Sequence, residues 1–270
     1  MTSRLLRAGL LAVGLLYLIA LLAPVIAPYD PAAQLDLASG RLLPPSLAHP
    51  LGTDALSRDL LSRLLFGARL SLSIAALAVV VAVTVGTAVG LAAGLAGGVV
   101  DAILMRSVDA ALAIPRVFLL IAILALWEQG GIVALVLVLG LTGWFGTSRL
   151  VRAEVLSLRR RDFVIAARAL GLSGWRIALR HVLPNAIAPI VVSATLGVGN
   201  TILLEAALSF LGVGVRPPLP SWGNMIADGQ AYLATSPWQA MVPGLAVVAT
   251  VMTFSVLGEA LRSTMDPRTR

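Results

Sequence analysis

The chain has 270 residues, 59% hydrophobic and only 12% charged, about half the charged fraction of an ordinary soluble domain, and its mean hydropathy is +0.95. All 20 basic residues are arginine, which excludes a G-x-x-x-x-G-K-S/T phosphate loop, so this chain cannot bind ATP in that way. The absence of cysteine excludes disulfides, thiolate metal sites and a cysteine nucleophile.

Five stretches carry no charge at all: 8–29, 70–100, 129–148, 182–204 and 229–258. A helix needs about 20 apolar residues to cross a bilayer, so each predicts a span, and a weaker sixth lies between Asp101 and Glu128. The expected fold is an all-α membrane protein of one transmembrane domain, with spans near 8–28, 70–97, 108–127, 130–149, 185–211 and 238–260.

In chain order, Arg4 and Arg7 precede the first span. Its best cleavage point would fall before Pro28, so an uncleaved helix is expected rather than a signal peptide. In the outer loop 30–69, "ALSRDLLSRLLFG" predicts a helix along the membrane surface, capped by Thr53 or Asp54 and stopped at Gly67. Asp59 and Arg63 would form an i,i+4 pair on it. The second span carries Ala78, Ala82, Gly86, Gly90, Gly94 and Gly98 four apart, a flat face against which a neighbouring backbone can lie. The third span must begin near Ala110 to be long enough, leaving Arg116 inside the bilayer. It either snorkels towards cytoplasmic headgroups or walls a polar pathway. A further outer loop, 213–236, contains "VRPPLPSW", and its tryptophan suits an interface.

With the N-terminus in the cytoplasm and six crossings, only Arg41, Arg58, Arg63, Arg69 and Arg216 fall outside; the other fifteen arginines fall inside or near it. That is the positive-inside bias, and it accounts for a pI near 11.3 without a nucleic-acid partner. His49 and His181 are far apart and make no metal cluster.

The longest inner loop, 150–184, has a helical pattern of its own. Phe163, Ala166, Ala167 and Leu170 share one face and Arg161 and Arg168 another. Gly171 stops this helix, Ser173 caps a second carrying Trp175, Arg176, Ala178, Leu179 and Val182, and Pro184 ends it. A basic amphipathic pair of this kind could rest on headgroups, but its small alanine face suits a protein groove better.

"AARALGLSGWRIALRHVLPN" resembles the cytoplasmic EAA loop of bacterial ABC importer permeases. "HPLGTDALSRDLLSRLLFGARLSL", "LLEAALSFLGVGVRPPLPSWGNMIADG" and the last span with its tail resemble the dipeptide/oligopeptide/nickel branch of that family. Two positions depart: Ile165 stands where the loop's namesake glutamate would be, and Ser57 where glycine is usual. The arginine bias puts both termini in the cytoplasm; the resemblance implies a bacterial inner-membrane protein and a peptide substrate, with nickel as the alternative. It implies four kinds of contact: a second, similar permease in a heterodimer, two cytoplasmic ATPases that hold ATP and Mg, an extracytoplasmic binding protein, and the lipid bilayer. No cofactor and no catalytic residue are then expected on this chain. Arg161, Asp162, Ala166, Ala167, Arg168, Gly171, Trp175 and Arg176 would dock the ATPase as a coupling helix pair, and Arg116, Glu205 and Ser209 would belong to the translocation path or its outer gate. Two other classes compete. A secondary transporter calls for inverted repeats or interrupted helices, and an intramembrane hydrolase calls for paired catalytic groups near Glu154, Glu205 or Glu259. The sequence displays neither.

Overall fold

The computed structural model describes residues 2–127 and 130–265. Glu128 and Gln129, at an expected outer turn, and the tail with Arg268 and Arg270 lie outside the described residues. Among the described residues there is no strand, and the helices follow the uncharged runs. They are α1 (Thr2–Ile26), α2 (Leu60–Ala96), α3 (Gly98–Leu112), α4 (Arg116–Leu126), α5 (Gly131–Leu158), α6 (Asp162–Ala169), α7 (Gly174–Ile177), α8 (Leu183–Phe210), α9 (Trp222–Gln230) and α10 (Trp238–Met265). Among these residues five helical units are long and apolar enough to cross a membrane: α1, α2, α5, α7 running into α8, and α10. The bent pair α3–α4 makes a sixth if counted as one span. Leu11, Val25 and Met252 are well exposed on these helices, as expected where the surroundings are lipid or another subunit rather than water.

Helix α2 is the central element. Its residues enter all three apolar clusters: with α4, α5 and α8 at Ile74 and Leu139, with α1, α9 and α10 at Leu72, Trp222 and Phe254, and with α5, α6 and α7 at Leu91, Val155 and Ile177. The small-residue ladder faces α5. A Cβ on Gly86 would stand 2.7 Å from Thr147 Cβ, one on Gly90 2.6 Å from Ser148 O, and one on Gly94 2.6 Å from Val155 Cβ. Helix α5 answers with Gly140, where a Cβ would meet Val81 Cβ at 2.7 Å. Gly98 leaves the ladder, because α2 ends at Ala96 and Gly97 and Gly98 turn the chain at φ +66° and +54°.

The expected surface helix is not separate. Asp59 is the N-cap of α2, its Oδ2 accepting from Ser62 N at 2.8 Å and Ser62 Oγ at 2.7 Å, and the helix continues through Gly67. Gly67 is small because Trp222 crosses there, its Cδ1 3.3 Å from where a Cβ would be. Asp59 is occupied by this cap and by His49 Nδ1 at 2.9 Å, so the expected Asp59–Arg63 pair does not form. Arg63 pairs instead with Asp54 (3.5 Å) and Asp228 (3.2 Å), which Arg58 also reaches at 2.6 and 3.3 Å. This largely buried cluster ties the segment before α2 to α9. Ser57 stands at φ +62°, a conformation that favours the glycine the family pattern expects there; its Oγ accepts from Asp36 N at 3.1 Å.

A single third helix beginning near Ala110 is not what forms. Helix α3 ends at Leu112, α4 begins at Arg116, and the two are bent by 86°. Pro115 brings no N–H and pushes Ile114 away from helical geometry, which breaks the helix there. An interrupted helix, unseen in the sequence, is therefore present. Pro184, in contrast, does not end its helix. A π-helical turn over Ala178–Val182 leads from α7 straight into α8. The wider turn relieves the clash that a proline ring makes with the carbonyl four residues back.

Candidate functional site

The amphipathic loop sits at the end of the bundle where α8 begins. Gly171 takes φ +78°, Gly171 N donates to Arg168 O at 2.9 Å and Leu172 N to Ala167 O at 3.2 Å. This is a Schellman motif, and Leu172 completes it by packing into the cluster that holds Ala167. Ser173 is the N-cap of α7 in extended geometry, without a side-chain capping bond. Val164, Ala167, Ile177 and Val182 are buried against α2 and α5. Grouping Ala167 with Ala166 on one outward face is thus incorrect: Ala167 belongs to this chain's own core. The outward face carries Phe163, Ala166, Leu170 (80% exposed) and Trp175 (68% exposed), with Arg161, Asp162, Arg168 and Arg176 exposed around them.

Gly171 stands in open space, with nothing within 4 Å of an added Cβ. Its glycine is required by backbone conformation alone, and Gly171→Val is expected to cost about 1–2 kcal/mol through φ without any steric clash. Faster hydrogen exchange at the amides of positions 171 and 172 in the variant would register the loss; unchanged protection would refute it.

At the far end of α8 the buried polar centre is Glu205, which is 0% exposed. Its Oε2 accepts from Ser71 Oγ of α2 at 2.8 Å and its Oε1 from Ser209 Oγ at 2.7 Å. Each serine oxygen in turn accepts a backbone N–H, Ser71 from Trp222 at 3.4 Å and Ser209 from Val215 at 3.0 Å. One carboxyl group thereby fixes α2, α8, the turn after α8 and the start of α9. That turn is again a Schellman motif, with Gly212 at φ +80° and Val213 N donating to Leu208 O at 3.0 Å. Ser221 and Asn224 form a capping box that starts α9. The sequence points to Glu205 and Ser209; Ser71, 134 residues from Glu205, lies too far along the chain to be associated with them, and nothing in the spacing marks the amides of Val215 and Trp222 as their partners.

Arg116 is in neither place. It opens α4, and its guanidinium turns inward, Nη2 donating to Leu139 O at 2.7 Å and Nε to Thr142 Oγ1 at 3.3 Å on α5. Snorkelling to headgroups is therefore not its conformation. It borders a cavity of about 150 Å³ between α2, α4, α5 and α8. A larger cavity of about 770 Å³ lies between the ends of α5, α8 and α10, with Glu154, Arg161, Asn185 and Arg262 on its walls. Ser193 lines both.

Residues 86–270 match the family described as binding-protein-dependent transport system inner membrane component, and residues 1–45 match the N-terminal TM domain of oligopeptide transport permease C. The chain is 40% identical over 269 residues to the dipeptide transport system permease protein DppC of Alkalihalophilus pseudofirmus, covering 98% of this chain and 86% of that protein. It is 45% identical over 267 residues to the protein of the same name from Escherichia coli K12, covering 96% and 88%. The fold is similar to a chain of the MetNI methionine ABC transporter solved in inward-facing conformations, with a TM-score of 0.61 at 17% identity over 77% of this chain and 98% of that one. With apolar helices enough for five or six crossings and a match over more than half its length, the chain belongs to the family of binding-protein-dependent transport system inner membrane components, the permease subunits of ABC importers.

Proposed function

We propose that the chain is one of two membrane-spanning subunits of an ATP-driven importer that passes dipeptides or oligopeptides from an extracytoplasmic binding protein into the bacterial cytoplasm. It forms a single transmembrane domain in the cytoplasmic membrane with both termini inside. The α6 end then faces the cytoplasm and the α9 end the outside, in keeping with the arginine bias. A second, similar permease completes the pathway. Two cytoplasmic ATPases hold ATP and Mg, and this chain itself carries no cofactor and catalyses no reaction. Peptides are favoured over nickel by the relatives named for dipeptide transport. Glu205, Ser209 and the turn after them form part of the outer gate.

The observation that carries the coupling role is the two-sided packing of residues 162–182. One side is buried in the bundle, and the other presents Leu170 and Trp175 to the surroundings within a ring of arginines. An aromatic anchor with a charged rim is the composition of a protein-docking patch. We assign Phe163, Ala166, Leu170 and Trp175 to the ATPase groove, Arg161, Asp162, Arg168 and Arg176 to its rim, and Ala167 and Gly171 to holding the patch in shape. Leu170→Asp and Trp175→Asp, made in the assembled transporter, are expected to abolish copurification of the ATPases and peptide uptake, each costing about 2–4 kcal/mol of docking. Both side chains are exposed, so thermal unfolding of the permease should not change. Retained ATPase copurification and uptake in both variants would overturn the coupling role.

A further inference from the structure

Arg116 presents a problem of charge. The cavity it borders touches Val79 to Val83 of α2, Leu139 to Thr147 of α5 and Ser193 to Thr201 of α8, which are the middle turns of three long helices. A full positive charge at that depth is costly, about 2.5–3.5 kcal/mol even on the milder insertion scales. The buried arginines Arg58 and Arg63 are neutralised by Asp54 and Asp228, and the half-buried Arg152 by Asp101. Among the described residues Arg116 has no such partner, and its recorded bonds are to neutral oxygens, Leu139 O and Thr142 Oγ1.

The surroundings leave room for the missing charge. Among the described residues no acidic side chain lines the cavity, while Thr147, Ser193, Asn200 and Thr201 give it polar walls. Gly143 keeps one wall open for the guanidinium, since a Cβ there would come within 3.1 Å of Arg116 Nη2. Arg116 is also the first residue of α4, which has no side-chain cap, so the positive end of that helix adds to the guanidinium charge. At about 150 Å³ the space admits a carboxylate with several waters. It adjoins the larger cavity at the α6 end through Ser193.

We propose that this cavity is a transit site for the carboxylate of the transported molecule, with Arg116 as its cationic partner and Asn200 and Thr201 as neighbouring polar contacts. The proposal rests on the reading of the chain as a peptide-importer permease, and it makes the C-terminal carboxylate the part of the peptide that this subunit recognises. A guanidinium in a polar, carboxylate-free pocket can hold that group bidentately and let it go again to water on the α6 side. The bonds to Leu139 O and Thr142 Oγ1 orient the guanidinium while it waits.

The test uses the complete transporter in vesicles and compares uptake of Ala-Ala with uptake of its C-terminal amide, each at a concentration that saturates the binding protein. Arg116→Gln is expected to lower Ala-Ala uptake about ten- to a hundredfold, the range of a hydrogen-bonded charge, and to change amide uptake little. Arg116→Lys should keep most of the Ala-Ala uptake. Asn200→Asp leaves Arg116 in place but supplies a rival carboxylate, and should suppress Ala-Ala selectively. ATPase copurification and binding-protein-stimulated ATP hydrolysis confirm assembly in every case. Acid and amide falling together in both Arg116→Gln and Asn200→Asp would make Arg116 a staple between α4 and α5 and overturn the site, as would a wild-type acid-to-amide ratio in both. A wild-type complex that imports neither peptide would instead sink the importer reading, and the site with it.

Discussion

Gly90→Leu is expected to prevent the bundle from closing, leaving a chain that inserts but does not hold α2 against α5. The reason is geometric. A single Cβ at Gly90 would already stand 2.6 Å from the carbonyl oxygen of Ser148 and 2.7 Å from Val151 Cβ, so a leucine must force the two helix backbones apart. Overpacking a tight core costs about 1–3 kcal/mol for small additions, which is the effect expected of Gly90→Ala. Leucine exceeds what one contact can absorb, because Gly86 and Gly94 on the same face depend on the same separation. Gly14→Ala in α1 is the control: nothing lies within 4 Å of its added Cβ, and helix propensity favours alanine by about 1 kcal/mol. Thermal unfolding of the detergent-solubilised chain should rank Gly14→Ala at or above wild type, then Gly90→Ala, then Gly90→Leu. Equal stability of Gly90→Ala and wild type would mean that the helices do not pack as described.

That interface was legible because its information is local. Four-residue spacing of small side chains declares a close-packed face, and uncharged runs declare long helices, whatever they pack against. The failures share the opposite property. Arg63 is paired in the sequence with Asp59, four residues away, but Asp59 is needed to cap α2, and Arg63's partner Asp228 is 165 residues distant. Gly67 reads as a helix stop, yet its reason is Trp222, which crosses α2 there. Pro115 did carry a local signal for the break before α4. It was masked by the length a span requires, which favours one helix over two half-length ones bent by 86°. In the amphipathic loop 150–184 the face expected from the sequence is one position too wide. Ala166 and Ala167 are adjacent, so they project about 100° apart on a helix, and only packing against Val151 and Val155 decides that Ala167 turns inward. Residue types at the candidate site were therefore legible, while orientation and long-range partners were not.

Glu205→Ala is expected to be the most damaging single polar substitution at the α9 end. Removing the carboxyl leaves Ser71 Oγ and Ser209 Oγ buried without their acceptor, and each orphaned hydroxyl costs about 1–3 kcal/mol. The backbone amides of Trp222 and Val215 are bonded to those same hydroxyl oxygens, so a serine that rotates to find a new acceptor gives up its amide. Glu205→Gln preserves volume and one acceptor oxygen, but its amide nitrogen must face a hydroxyl that is already donating, so one serine has to turn. A loss of about 1 kcal/mol is expected. Because the groups form one network, the Ser71→Ala and Glu205→Ala effects should fall short of additivity, which a double-mutant cycle on unfolding measures directly. Stability and gating can then be separated. If the network only holds the segment between α8 and α9 in place, unfolding shifts while uptake and the resting ATPase rate of Glu205→Gln stay at wild-type values. As part of the outer gate, the same variant should raise resting ATP hydrolysis or lower uptake, because the segment from Val215 to Trp222 would be held less firmly to α2 and α8. A Glu205→Gln transporter with unchanged uptake and unchanged resting hydrolysis would remove Glu205 from the gate and leave it as the hydrogen-bonded anchor of three elements.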